Sequence, residues 1–362
     1  MLGMTMDRVK VGILGASGYG GADLLRRFAK HPHVTLSGIG SRQYEGQRVD
    51  ACWPQLAGAF SDLTFQDSDA VIDGCDVLVS AAPHGSATDL VVKAIEAGKR
   101  VVDLSADFRL APEDFERWYG ATHPHPQHYP GSVYGLVELH RDEIRDATLV
   151  ANPGCYPTAS ALALAPLAAC GWLGRDVIVS AASGVSGAGR SVSLGTHYSE
   201  LNENYKAYKI AGTHRHTAEI ETTLGRVRAQ GRHLTTHGDA DTPLVSFNPH
   251  LVPMSRGILA TCYTRPDTDK TLSDARLLEL YKEFYDGEAL ITVQDDLPQT
   301  KATYGSDRVI ISVRFDERTG MVVALAAEDN LGKGAAGQAI QNLNLMLGVD
   351  EGVGLEPYGV WP

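Results

Sequence analysis

At 362 residues the chain is longer than one core of ordinary size encloses, so two domains are expected. Apolar residues make up 43% and charged residues 21%, a globular balance, and no run of 18 apolar residues offers a membrane span. The net charge of −12 argues against nucleic acid or an anionic membrane as partner, yet local arginines can still hold a small anion.

The first residues, "MLGMTMDRVKVGIL", carry no apolar stretch of signal-peptide length, which predicts a cytoplasmic protein. "RVKVGIL" reads as a strand running into "GASGYGG" and then the helix "ADLLRRFAKH". Strand, glycine loop and helix N-terminus together suit a pyrophosphate, with Gly15, Ala16, Ser17, Gly18, Tyr19, Gly20 and Gly21 as its cradle. The spacing is G-x-x-G-x-x-G rather than G-x-G-x-x-G, so the context carries the reading. The next strand, "VTLSGIG", ends at Ser41 and Arg42 where an acidic residue would select NAD. A hydroxyl and a guanidinium suit a 2′-phosphate instead, and NADP(H) is the expected cofactor.

"CDVLVSAAP" is a strand, "SATDLVVKAIEAGK" a helix capped by its serine, and "RVVDLSAD" and "TLVANPG" further strands. These strands are apolar on both faces, as in a parallel sheet covered on both sides. Residues 1–151 therefore read as a Rossmann-type, doubly wound α/β domain. His123, His125 and His128 lie in a Pro-rich loop without a carboxylate anchor, and no metal is expected.

"ANPGCYPTA" then puts a cysteine at a strand-to-helix turn. Cys52, Cys75, Cys155, Cys170 and Cys262 form no C-x-x-C pair and read as free thiols, which are mostly core filler. Cys155 differs in position, because a helix N-terminus stabilises a thiolate. A thiolate beside a nicotinamide suits acyl transfer coupled to hydride transfer. "AGTHRHTAEIE" supplies His214 and His216 as proton carriers, Thr217 as a helix cap and Glu219 behind them. Arg109, Arg190 and Arg256 stand beside Gly/Ser turns or strand ends as anion-binding candidates. Ser183, Gly184, Ser186 and Gly187 form a small-residue loop that offers a backbone nest.

After Cys155 the strands lengthen and alternate ("DVIVSAAS", "TPLVSFNPHL", "RGILATCYTR", "RVIISVRFD", "MVVALAAED"), which predicts an α+β domain with a mixed sheet over 152–330. The last helix, in "KGAAGQAIQNLNLML", is expected to return to the first domain, giving it residues 331–362 as well. "RHLTTHGDAD", Arg232–Asp241, reads as a surface excursion.

"GASGYGG", "AAPHG", "DLSADFRL", "YGLVEL", "NPGCYPT", "SGVSGAGR", "HRHTAEI", "VPMSRGI" and "DNLGKGAAGQA" run nearly end to end. With them the chain resembles the N-acetyl-gamma-glutamyl-phosphate reductases, and more distantly the aspartate-semialdehyde dehydrogenases. The resemblance implies an NADPH-dependent homodimer or homotetramer that reduces a small acyl phosphate in arginine biosynthesis. It carries the nucleophile onto Cys155 and the base onto His214 or His216. It also implies that Pro83 and His84, with Asn330, Lys333 and Gly334, line the nicotinamide end. Ser186 and Gly187 are expected at the cofactor, and Arg109, Ser183, Arg190, Glu219 and Arg256 at the substrate. Tyr156-Pro157-Thr158 after the cysteine favours this branch over one reducing a carrier-protein-linked aminoadipyl phosphate. A third reading, an NADPH-binding sensor without catalysis, leaves Cys155 and the paired histidines without a task.

Overall fold

The computed structural model describes residues 8–60, 62–231 and 242–362; the expected excursion Arg232–Asp241 lies outside the described residues. The chain divides into two units, one of residues 1–153 and 335–355, the other of residues 154–334 and 356–362.

The first unit is built on a seven-stranded sheet. Its strands are β1 (Val9–Leu14), β2 (Val34–Gly40), β3 (Phe65–Gln66), β4 (Val77–Ser80), β5 (Arg100–Asp103), β6 (Ser132–Tyr134) and β7 (Leu149–Ala151), in the order β3-β2-β1-β4-β5-β7-β6. Every adjacent pair is parallel. The apolar runs explain this: β4 and β7 are buried along their whole length, which requires cover on both faces. Leu14, Leu78, Val101, Leu149 and Ala151 pack with Val71, Ile72, Val91 and Val92 from the flanking helices. Strand order reverses between β1 and β4, the point where doubly wound sheets open a crevice for ligands.

The helix Gly337–Leu347 belongs to this unit, where its amides satisfy carbonyls that no strand reaches. Gln338 Nε2 and Asn342 Nδ2 donate to Gly135 O at 2.7 and 2.9 Å. Asn342 Nδ2 also reaches Asn152 Oδ1 at 3.0 Å. Gly135 has no alternative here, since a Cβ would sit 2.5 Å from Asn342 Nδ2. The serine expected to cap the helix Thr88–Glu96 does not do so. Ser86 Oγ turns back to Pro83 O, and the helix start carries no side-chain cap; the Asp107 carboxylate instead pins the loop before it, accepting from Gly85 N at 3.0 Å and Thr88 Oγ1 at 2.5 Å.

The second unit carries a mixed sheet of β8 (Asp176–Ser183), β9 (Lys206–Ala207), β10 (Leu244–Leu251), β11 (Ile258–Thr264), β12 (Ile291–Val293), β13 (Val309–Asp316) and β14 (Met321–Glu328), in the order β12-β13-β14-β11-β8-β10-β9. β8 and β10 run parallel, whereas β11, β13 and β14 are antiparallel to their neighbours in the centre. The helix Cys155–Ala169 packs on β11 and β14 and against the helix His216–Gly231. It is apolar all round and buried from Tyr156 to Ala168, as a helix with protein on every side must be. The other face of the sheet alternates: Ile178 and Leu244 are exposed while Val177 and Val245 are buried.

Residues 356–362 fall in this second unit, although everything after 330 was expected in the first. The cause is a set of backbone bonds. Asp307 N donates to Glu356 O at 2.7 Å and Val360 N to Tyr304 O at 2.8 Å.

Candidate active site

In the first unit the loop after β1 turns at Gly15, whose φ of +72° only glycine adopts cheaply. A Cβ there would lie 2.7 Å from the Ala81–Ala82 peptide that follows β4. A Cβ at Gly21 would lie 2.5 Å from Ala16 Cα, so the third glycine lets the helix Tyr19–Phe28 close on the loop. Gly18 caps that helix without a side-chain bond, and a Cβ on Gly20 would meet nothing within 4 Å. Backbone donors at a helix start beside open space fit a pyrophosphate. Ser17 and Ser41 hydroxyls lie 2.8 Å apart, joining the loop to the end of β2, and Arg42 is exposed beyond them. These residues therefore fit a dinucleotide.

Pro83 and His84 follow β4. His84 Nδ1 donates to Asp107 Oδ1 at 2.7 Å, and the ring packs on Tyr119 with centroids 4.6 Å apart. Asp107 carries no motif of its own; its only signal in sequence is an acidic residue within an apolar strand-to-turn stretch. His123, expected as a loop residue, is buried against Phe108 and Phe115 with Nε2 on Asp107 O. Arg109 is also buried and donates to Leu104 O at 2.7 Å.

In the second unit Cys155 is the first residue of its helix and half-buried. Pro157 in the third helical position has no N–H, so the first turn offers the N–H groups of Cys155 and Tyr156. Gly154 caps the helix, and its own N–H donates to Glu219 Oε1 at 2.7 Å. Glu219, expected on the substrate, is 2% exposed and gives Oε1 to this backbone contact. Gly334 closes the other side; a Cβ on it would lie 2.8 Å from Cys155 Cβ and 2.6 Å from Glu328 Oε1.

His214 and His216 stand together, ring centroids 4.8 Å apart, with Tyr156, Tyr208 and Phe247 edge-on to His214. The two histidines differ in kind. His216 opens the helix His216–Gly231, and its backbone N–H donates to His214 Nδ1 at 3.1 Å. That bond needs an unprotonated Nδ1. Burial, helped by the neighbouring His216, Lys209 and Arg215, lowers the His214 pKa to about 3. The cap expected of Thr217 thus comes from His214, because Thr217 lies inside the helix. Tyr208, which no sequence motif marked, donates its hydroxyl to Tyr156 at 3.0 Å. Burial pushes the Tyr208 phenol up to about 12 and that of Tyr156 further, so both remain protonated donors.

The small-residue loop does not form the expected nest. Gly184, Val185 and Ser186 N–H groups are taken by Gly257 O, Met254 O and Ser255 O. Ser183 Oγ bonds Gly184 O, and Gly187 stands exposed beyond the loop's bonded part. Asn330 ties the region together, donating to Ser186 Oγ at 2.9 Å and accepting from Gly257 N at 2.8 Å. Arg256 pairs with buried Asp329 at 3.4 Å, whereas Arg190 is exposed. Lys333 is fully buried.

Two family models match: semialdehyde dehydrogenase, NAD binding domain, over residues 10–147, and semialdehyde dehydrogenase, dimerisation domain, over residues 155–330. An N-acetyl-gamma-glutamyl-phosphate reductase of Thermus thermophilus is 52% identical across 97% of this chain and all of that protein. One of Desulforudis audaxviator is 48% identical across 98% of this chain and all of that protein. The chain belongs to the N-acetyl-gamma-glutamyl-phosphate reductase family. Solved structures agree on the fold at lower identity. Aspartate semialdehyde dehydrogenase II of Vibrio cholerae aligns with a TM-score of 0.70 at 18% identity, over 94% of this chain and 99% of that one. The aspartate semialdehyde dehydrogenase of Candida albicans aligns at 0.69 and 18%, with the same coverage. The 155–330 match to a dimerisation domain makes this family member a self-associating chain. Among the described residues no helix is long and apolar enough to cross a membrane.

Proposed function

We propose that the chain reduces N-acetyl-gamma-glutamyl phosphate to N-acetyl-glutamate 5-semialdehyde and phosphate, in arginine biosynthesis, using NADPH and a thioester on Cys155. The observation that carries this is Cys155 at the mouth of a buried helix, in the same unit as a neutral His214 and its neighbour His216. The relatives' names supply the substrate.

His216 takes the proton of the Cys155 thiol, since His214 holds its Nδ1 lone pair in the bond from His216 N–H and stays neutral. The thiolate attacks the acyl carbon and expels phosphate, leaving the thioester. NADPH, when bound, supplies hydride to that carbonyl carbon. The backbone donors at the start of the Cys155 helix steady the oxygen that becomes negative, and collapse releases the aldehyde and regenerates the thiolate. The cofactor is held by Gly15–Gly20, with Ser41 and Arg42 on the 2′-phosphate and Pro83 and His84 toward the nicotinamide. Arg190 and Arg256 serve the substrate's anionic groups, with Arg109 as a further candidate. Ser183 borders the same substrate region, and Ser186, Gly187 and Asn330 border the nicotinamide.

The assembly is a homodimer or a homotetramer, joined through the alternating outer face of the second sheet around Ile178 and Leu244. The cytoplasm keeps a free thiol such as Cys155 reduced. Replacing Cys155 by Ser should leave folding and NADPH binding intact and remove nearly all turnover, because an alcohol is far less acidic than a thiol. Near-parental turnover in Cys155→Ser, assayed with the acyl phosphate, defeats the reading.

A further inference from the structure

We infer that Glu219 is a positioning residue whose carboxylate ties the helix carrying His216 to the backbone turn that presents Cys155. The inference rests on the proposed nucleophile and base.

Three observations meet at this side chain. Glu219 stands three residues after His216, so both lie on one side of the helix's first turns. Its Oε1 accepts from Gly154 N at 2.7 Å, and Gly154 is the cap residue immediately before Cys155. It is buried at 2% exposure between two helices that pack on each other, so the bond is sheltered from water. A hydrogen bond to an ionised carboxylate is stronger than a neutral one, and a negative group is favoured at a helix N-terminus. The contact thus holds the base's first turn in register with the nucleophile's first turn.

The charge has a second effect of opposite sign. The helix terminus favours the Cys155 thiolate, and a carboxylate at the same terminus opposes it. Other groups face the same turn: Tyr156 on its helix, Tyr208 from the preceding loop, His214 and His216 at the base's helix. Glu328 stands at the end of β14, near Gly334, with Lys333 beside it in sequence. Each of these groups stays in place when Glu219 alone is replaced; His214, which the Glu219 charge pulls upward, becomes still harder to protonate and stays neutral.

The test uses the full chain, with iodoacetamide alkylation followed on the Cys155 peptide by mass spectrometry so that exposed Cys170 does not contribute. Glu219→Gln retains an acceptor oxygen but no charge. Its alkylation midpoint should fall by about half a pH unit or more. Glu219→Ala loses the tie as well, and its kcat should fall by about tenfold or more with KM for the acyl phosphate nearly unchanged. Glu219→Gln should recover most of that loss. An unchanged midpoint in Glu219→Gln overturns the inference, even if Glu219→Ala does not fold. So does an alanine variant that raises KM and keeps kcat, which marks a ligand contact. An active Cys155→Ser would instead defeat the underlying nucleophile assignment.

Discussion

His214 enters the folded state neutral, and that has a pH signature. Its pKa is lowered to about 3 from an ordinary 6.5. Below pH 6.5 the unfolded chain binds a proton at this site that the folded chain refuses, so stability is lost as pH falls toward 3, and nothing is lost above 6.5. His214→Asn keeps an oxygen near the Nδ1 position but cannot titrate. Its melting temperature, compared with the parent at pH 7, 5.5 and 4.5, should fall less steeply; parallel slopes would show that His214 titrates normally. His216 makes the contrasting case. As base, it should cost about 10²- to 10⁴-fold in kcat when replaced by Asn, with the acid limb of the pH–rate profile altered. His214→Asn should show the smaller kcat effect of the two, and the reverse order would exchange their roles. Arg42 is exposed beyond the Ser17–Ser41 bond, so Arg42→Ala removes a charge-assisted contact without disturbing the loop. Such a contact is worth roughly 1.5–3 kcal/mol, about tenfold or more in NADPH affinity. NADH affinity should hold, and equal weakening of both cofactors in fluorescence titrations would remove Arg42 from the 2′-phosphate.

The glycine loop shows how differently two adjacent glycines behave within one element. A methyl at Gly21 meets backbone at 2.5 Å that cannot move aside, whereas one at Gly20 meets nothing. Gly21→Ala should therefore cost about 1–3 kcal/mol of stability, while Gly20→Ala should leave stability intact and weaken dinucleotide binding. Thermal melts with and without NADPH separate the two effects. The longer strands of both sheets were legible in sequence, because β4 and β7 are continuous apolar runs and β8 and β10 alternate; the two- and three-residue β3, β6, β9 and β12 are too short to show a period. Cys155 at a helix start was legible for the same local reason. What stayed hidden depends on partners distant in sequence. Ser86 reads as a cap, but its hydroxyl turns back to Pro83 O, and Asp107 arrives from beyond β5 to pin the loop before the helix. The Gly184–Ser186 loop reads as a nest, but residues 254–257 already occupy its donors. Glu219 reads as a ligand contact, and only the fold brings it to Gly154.

At the scale of the whole molecule, association is expected through the outer face of the second sheet. Ile178 is 45% exposed there and Leu244 50%, in a stretch matched by a dimerisation domain. A lysine at Ile178 puts a charge on that face without touching the buried alternate residues. Ile178→Lys should lower the mass measured by light scattering while the circular dichroism spectrum persists; an unchanged mass would move the interface elsewhere. The division of the chain also sets an order of assembly during synthesis. The first unit is not finished by its first 153 residues, because Gly135 O and Asn152 wait for Gln338 and Asn342. The second unit's 154–334 stretch emerges from the ribosome before those residues do. A released fragment ending at residue 334, which lacks only the 356–362 strip of the second unit, should therefore protect the Cys155 helix from protease while the dinucleotide-binding sheet remains cleavable, so the nucleophile is formed before the chain can hold the reductant.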